Sequence, residues 1–295
     1  MASHHDEEII QANGIEICTD SFGDRHDPAI LLIMGAGASM ILWADTFCER
    51  LAEGGRLVIR FDNRDTGRTT CCPLGEPNYS MQDMADDAVA VLDHYGVDKA
   101  HIAGASMGGM IAQLVGLNHP ERVLTLIPIM SSPDPGAVSD AMEGKETRYS
   151  LSPPSAVVFA ALAAAATLDW SDREAVLDNR VEMFKVLSGS AHPYDEAASR
   201  ELFGREIDRA NDFPASQNHG LVVAATERWH DRLDTIGVPT LVIHGTEDPI
   251  LPFDHGQAIA DAIAGAKLLA MPGVGHELPE GELDTIVPAI LEVMG

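Results

Sequence analysis

Ser106 stands at the centre of Gly104-Ala105-Ser106-Met107-Gly108, between an apolar run at 100–105 and a helical stretch over 107–118. A serine in this G-x-S-x-G frame sits on a sharp strand-to-helix turn, where residues without a Cβ let strand and helix crowd together. The turn lifts the hydroxyl clear of the sheet and puts a helix N-terminus under it, with free N–H groups that favour a developing negative charge. A serine hydroxyl is a weak nucleophile at neutral pH and needs a base within hydrogen-bond reach, itself oriented by a carboxylate. Two other loops offer those groups. Gly245-Thr246-Glu247-Asp248-Pro249 supplies Asp248 as acid, and Pro272-Gly273-Val274-Gly275-His276 supplies His276 as base. Glu247, next to Asp248, and Asp134, just past an earlier strand, are alternative acids. The oxyanion that forms on attack needs two donors: the backbone N–H of Met107 and one from the loop after the strand at 29–34. Ala36 is the expected second donor, with Gly35 or Gly37 one residue away.

Such groups converge only if several strands end at one rim. Continuous apolar runs at 29–34, 57–61, 100–105, 123–130 and 240–244 predict strands covered on both faces. A further strand is expected at 267–271, and Asn13-Gly14 predicts a hairpin joining strands at 9–11 and 15–19. Helices are expected at 44–53, 81–95, 107–118, 253–264 and 283–294, with Ser80 and Asp83 forming a capping box ahead of the second. Strands alternating with helices make a mostly parallel, doubly wound sheet, here of eight strands. The rhythm breaks at Ser131-Ser132-Pro133-Asp134-Pro135-Gly136. Until about residue 239 the chain is rich in Ala, Glu, Asp and Arg at helical spacing, with helices expected at 155–168, 172–187, 195–210 and 221–229. This predicts a helical insertion over 132–230 after the sixth strand, with core segments 1–131 and 231–295 on either side. His101, His119 and His244 read as structural or surface residues.

Composition narrows the partners. Against 46 acidic residues stand 19 basic ones, only four of them lysine, for a formal net charge of −27. Such a field disfavours nucleic acid, anionic membrane surfaces and phosphate-rich substrates, and it is compatible with a salt-adapted surface. Cys18, Cys48, Cys71 and Cys72 have neither disulfide-scaffold nor zinc spacing and are expected as free thiols in a reducing, cytoplasmic setting. No leader-like or membrane-spanning run is read, no metal or nucleotide motif is present, and the expected form is a cofactor-free monomer or homodimer.

With these residues assembled, the chain resembles the α/β-hydrolase fold family over nearly its whole length. The resemblance rests on Ile33-Met34-Gly35-Ala36, Phe61-Asp62-Asn63-Arg64-Asp65-Thr66-Gly67-Arg68-Thr69, the stretch around Ser106, Val242 to Pro249, and Gly273 to His276. Within the family it is most similar to aclacinomycin methylesterase-type esterases, through Arg64 to Arg68 and Leu187-Ser188-Gly189. The resemblance implies Ser106, Asp248 and His276 as a triad, Ala36 and Met107 as oxyanion donors, and the insertion as a cap over the pocket. The expected activity is hydrolysis, through an acyl-enzyme, of a moderately large apolar ester or lactone, such as a methyl ester of a polyketide-like compound. Peptidase, perhydrolase or carbon–carbon hydrolase action with the same triad, or ligand binding with little turnover, are the alternatives. Met34, Gly35, Met130, Phe159, Met183 and Phe184 are the expected pocket lining. Met142, Trp170, Phe203, Phe213 and Trp229 are further apolar candidates in the insertion. Many relatives have His-Gly where this chain has Met34-Gly35, a change that leaves the backbone donors in place.

Overall fold

The computed structural model describes residues 3–146 and 149–295. Eight strands form one sheet: β1 (His4–Ala12), β2 (Ile15–Phe22), β3 (Ala29–Ile33), β4 (Leu57–Phe61), β5 (Ala100–Ala105), β6 (Val123–Ile129), β7 (Leu241–Gly245) and β8 (Lys267–Met271). Their spatial order is β1-β2-β4-β3-β5-β6-β7-β8. The β1–β2 hairpin turns at Asn13-Gly14 and β2 meets β4 antiparallel; every later pairing is parallel. The hairpin strands are longer than the sequence suggests. Their outer ends, rich in charged and polar residues, gain ladder bonds that an apolar pattern does not signal.

Successive residues of each central strand face opposite sides of the sheet, so a strand covered twice is apolar throughout. Leu31 and Ile33 of β3 join a core with α2 (Met81–His94), α3 (Met107–Asn118) and α9 (Phe253–Ala262). Ile30 and Leu32 face the other way, into a core with α1 (Asp45–Glu53) and α10 (Leu283–Met294). Helix α2 begins where expected: the Ser80 hydroxyl accepts from the Asp83 N–H, and the Asp83 side chain accepts from the Ser80 N–H. Such a cap stabilises a helix by about 1 kcal/mol.

Between β6 and β7 lie α4 (Ala137–Met142), α5 (Ala156–Ala165), α6 (Arg173–Leu187), α7 (Glu196–Arg209) and α8 (Asn218–Ala225). The insertion has its own small core of Leu177, Val181 and Phe203. Helix α4 has no counterpart in the sequence reading, and the helix expected at 221–229 is displaced toward the N-terminus. Its cause is Trp229, which is buried in the main core and donates through Nε1 to Gln113 Oε1 (3.1 Å), pulling the chain off the helical path. Among the described residues no helix is long and apolar enough to cross a membrane.

Candidate active site

Parallel register brings the expected residues to one rim. Ala105 pairs with Ile129, Ile129 with Ile243, and Gly245 with Met271, so Ser106 and the loops bearing Asp248 and His276 leave the sheet at the same carboxyl edge. Ser106 has φ 55° and ψ −119°, a conformation costing on the order of 1–3 kcal/mol. Neighbouring glycines make the turn feasible. A Cβ on Gly104 would run into the Gly108 carbonyl, and one on Gly108 into the Ile33 carbonyl. Ser131 Oγ donates to the Ser106 carbonyl (2.8 Å), bracing the turn from the end of β6.

Asp248 and His276 meet directly. The imidazole Nδ1–H donates to Asp248 Oδ2 at 2.6 Å, leaving Nε2 available for proton exchange. The carboxylate is buried, and Oδ1 accepts from the Ile250 and Leu251 N–H groups (3.0 and 2.8 Å). Burial alone would raise its pKa, but His276 and the hydrogen bonds from His244 and His276 hold it well below the ordinary carboxylate range. His244 is buried rather than at the surface; its Nε2 donates to the Leu251 carbonyl (2.7 Å) and lies 3.4 Å from Asp248 Oδ2.

The alternative acids are engaged elsewhere. Asp134 Oδ1 accepts from Arg228 Nε (2.8 Å) and the Gly136 N–H (2.9 Å). Glu247 holds the insertion: its carboxylate accepts from the Ser190 N–H (2.8 Å) and hydroxyl (2.9 Å). Glu277, beside His276, does likewise for the Gly189 N–H (2.9 Å), while the His276 N–H donates to the Leu187 carbonyl (2.8 Å). The turn at 187–190 therefore joins the loop that bears Asp248 to the loop that bears His276. The sequence shows that turn as a matching motif but gives no sign of this role.

In the loop after β3, the Gly35 backbone lies against Ser106: a Cβ there would be 3.1 Å from the serine Cβ and 3.7 Å from Oγ. The Gly37 N–H is taken up by His219 Nδ1 (2.9 Å), which removes Gly37 as a candidate donor. Among the described residues the Ala36 and Met107 N–H groups have no hydrogen-bond acceptor. Met34 and Met130 are buried at the ends of β3 and β6, while Phe159 and Met183 are half-buried on α5 and α6. Phe184 packs against Phe203 (4.5 Å between centroids), so part of its ring belongs to the insertion's own core. Phe203 and Trp229 are core residues, and Met142 is exposed.

Residues 28–282 match the family model described as alpha/beta hydrolase fold. The chain is a member of the alpha/beta hydrolase family. It is 32% identical over 288 residues to the rhodomycin D methylesterase DnrP of Streptomyces peucetius and 33% identical to the rhodomycin D methylesterase DauP of a Streptomyces species, covering 96% of every chain. The resemblance to methylesterases drawn from Arg64 to Arg68 and Leu187 to Gly189 is thus borne out. Among solved alpha/beta hydrolase structures, an esterase from Exiguobacterium antarcticum superposes with a TM-score of 0.77 at 22% identity, covering 98% of this chain and 99% of that one.

Proposed function

We propose that this carboxylic-ester hydrolase works through a serine acyl-enzyme. The Ser106 hydroxyl attacks the ester carbonyl while His276 Nε2 takes its proton; the same imidazolium then protonates the departing alcohol. Asp248 fixes the imidazole with its proton on Nδ1 and stabilises the imidazolium without itself becoming protonated. Its depressed pKa keeps it ionised for this role. The Ala36 and Met107 amides receive the tetrahedral oxyanion, and a water activated by His276 releases the acid.

The observation that carries the reading is the 2.6 Å bond between buried Asp248 and His276, on the same sheet rim as a serine held at φ 55°. The proposed substrate is a large apolar ester, a methyl ester of a polyketide-like compound above all. Its support is the methylesterase relatives, together with Met130, buried at the end of β6, and Phe159 and Met183, half-buried on insertion helices α5 and α6, which as part of a cap would offer apolar surface to such a substrate. Mass spectrometry after treatment with an alkyl phosphonofluoridate tests the chemistry. A single adduct on Ser106, absent in Ser106→Ala and strongly slowed in His276→Ala, is expected. Ser106→Ala should lower kcat on p-nitrophenyl esters by about ten-thousand-fold or more. Labelling at another residue, or unchanged turnover in Ser106→Ala, overturns the proposal.

A further inference from the structure

Two insertion residues grip the loop that carries the Ala36 amide, one on each side of it. On one side, the Gly37 N–H donates to His219 Nδ1 (2.9 Å) across 182 residues of sequence. On the other, the Ser39 N–H and hydroxyl both donate to Glu206 Oε1 (2.7 and 3.2 Å) across 167 residues. Both gripping side chains are buried, with His219 and Glu206 each 1% exposed. The loop is also held from the core, where Asn63 Nδ2 donates to the Met34 carbonyl (2.9 Å) and the Met40 N–H donates to Asp62 Oδ1 (2.8 Å). Among the amides of this loop, those of Gly35, on the peptide whose carbonyl Asn63 holds, and of Ala36, between that peptide and the two grips, are left with no protein acceptor among the described residues.

We infer that His219 is a positioning residue for the oxyanion hole: by accepting the Gly37 N–H it fixes the peptide beside Ala36, so the hole is complete only when α8 is docked. The inference rests on the proposed role of the Ala36 amide. Its chemistry is specific. His219 Nε2–H donates to the Arg64 carbonyl at 2.6 Å, so Nδ1 carries a lone pair and can accept. The imidazole is held at both ring nitrogens by these two bonds and by burial. The start of α8 that carries it is anchored by the adjacent Asn218, whose Nδ2 donates to Asp65 Oδ2 (3.0 Å) and the Pro73 carbonyl while Oδ1 accepts from the Gly75 N–H (2.7 Å). Burial keeps His219 neutral by pushing its pKa down. A donor aimed at the transition state is effective only if it is already in place, and a displacement of about 1 Å can cost on the order of a hundredfold in rate. A buried histidine joining two backbone groups 27 residues apart, Gly37 and Arg64, serves that requirement, and nothing in the residues around 219 announces it.

The test compares His219→Leu, His219→Asn and His219→Gln with the wild type on a p-nitrophenyl ester and on an oxo ester paired with its thiono counterpart, whose sulfur is a poor hydrogen-bond acceptor. For His219→Leu, kcat is expected to fall about 10- to 100-fold with KM within about threefold of the wild type. Its preference for oxo over thiono ester should fall in parallel. Asn places its Oδ1 where Nδ1 stood, and most of kcat should return; Gln retains a donor toward Arg64 but not that acceptor, and should not rescue. The Asn–Gln comparison decides the matter even if His219→Leu fails to fold. Equal activity of the two, or an oxo/thiono preference unchanged in His219→Leu, overturns the role of His219 alone. A wild-type enzyme indifferent to the thiono substitution overturns the oxyanion assignment beneath it.

Discussion

Asp248, Glu247 and Asp134 are three carboxylates within reach of one rim, and what separates them is the partner each has already taken. Asp248 faces the imidazole, Glu247 faces the Ser190 amide and hydroxyl, and Asp134 faces Arg228. Asp248→Asn keeps the shape but presents an amide to His276 Nδ1, which favours the wrong tautomer. Its kcat is expected to drop by about ten-thousand-fold with the fold intact by circular dichroism. Glu247→Gln retains an acceptor for Ser190 and should cost less than about tenfold, and Asp134→Asn should act on melting temperature more than on turnover. The proposed triad can be picked out from the sequence because Ser106, Asp248 and His276 each sit in a turn framed by glycine or proline at a strand end. The choice between adjacent Glu247 and Asp248 cannot be made there, since one position along a tight loop reverses a side chain's direction. His219 and Glu206 are invisible for a different reason. They lie within ordinary helices, and their roles come entirely from loops folded against them.

At the scale of elements, the strands were readable wherever a segment is buried on both faces, and the insertion was readable as a break in that pattern. Its attachments were not. The turn at 187–190 presses so closely on the loop that bears His276 that a Cβ on Gly189 would run into the Gly273 carbonyl and the Gly275 nitrogen. Gly189→Ala must therefore shift either the insertion or the segment leading to His276. An overpacked contact of this kind costs about 1–3 kcal/mol. We expect a lower melting temperature by differential scanning calorimetry together with reduced kcat, because the His276 N–H and the Leu187 carbonyl share that contact (2.8 Å). Gly204, in the middle of α7, provides the contrast. A Cβ there meets nothing nearer than Arg173 Nη2 at 3.6 Å. Gly204→Ala should raise stability by about 0.5–1 kcal/mol through helix propensity and leave turnover unchanged.

Over the whole molecule, two protonation effects act in opposite directions as pH falls. The net charge of −27 is self-repulsive, so added salt should raise the melting temperature, and neutralising carboxylates should relieve the same strain in acid. Buried histidines oppose that relief. His101, with Nδ1 2.9 Å from Thr125 Oγ1, has its pKa pushed down to about 4 by burial and the nearby Arg56, and burial also lowers His219 and His255. An unfolded imidazole binds its proton near pH 6.5. Between that value and about 4 the unfolded chain therefore takes up protons that the folded chain refuses, and stability must fall as pH falls through this window. Asp248, with its depressed pKa, adds a further loss only in stronger acid. Urea unfolding followed at pH 7.5 and pH 5.0 separates the terms. In high salt, where carboxylate repulsion is screened, the wild type should lose stability between the two pH values. His101→Gln, which cannot titrate, should lose measurably less; equal losses would mean that the imidazole at 101 is as easily protonated in the folded protein as in the unfolded chain.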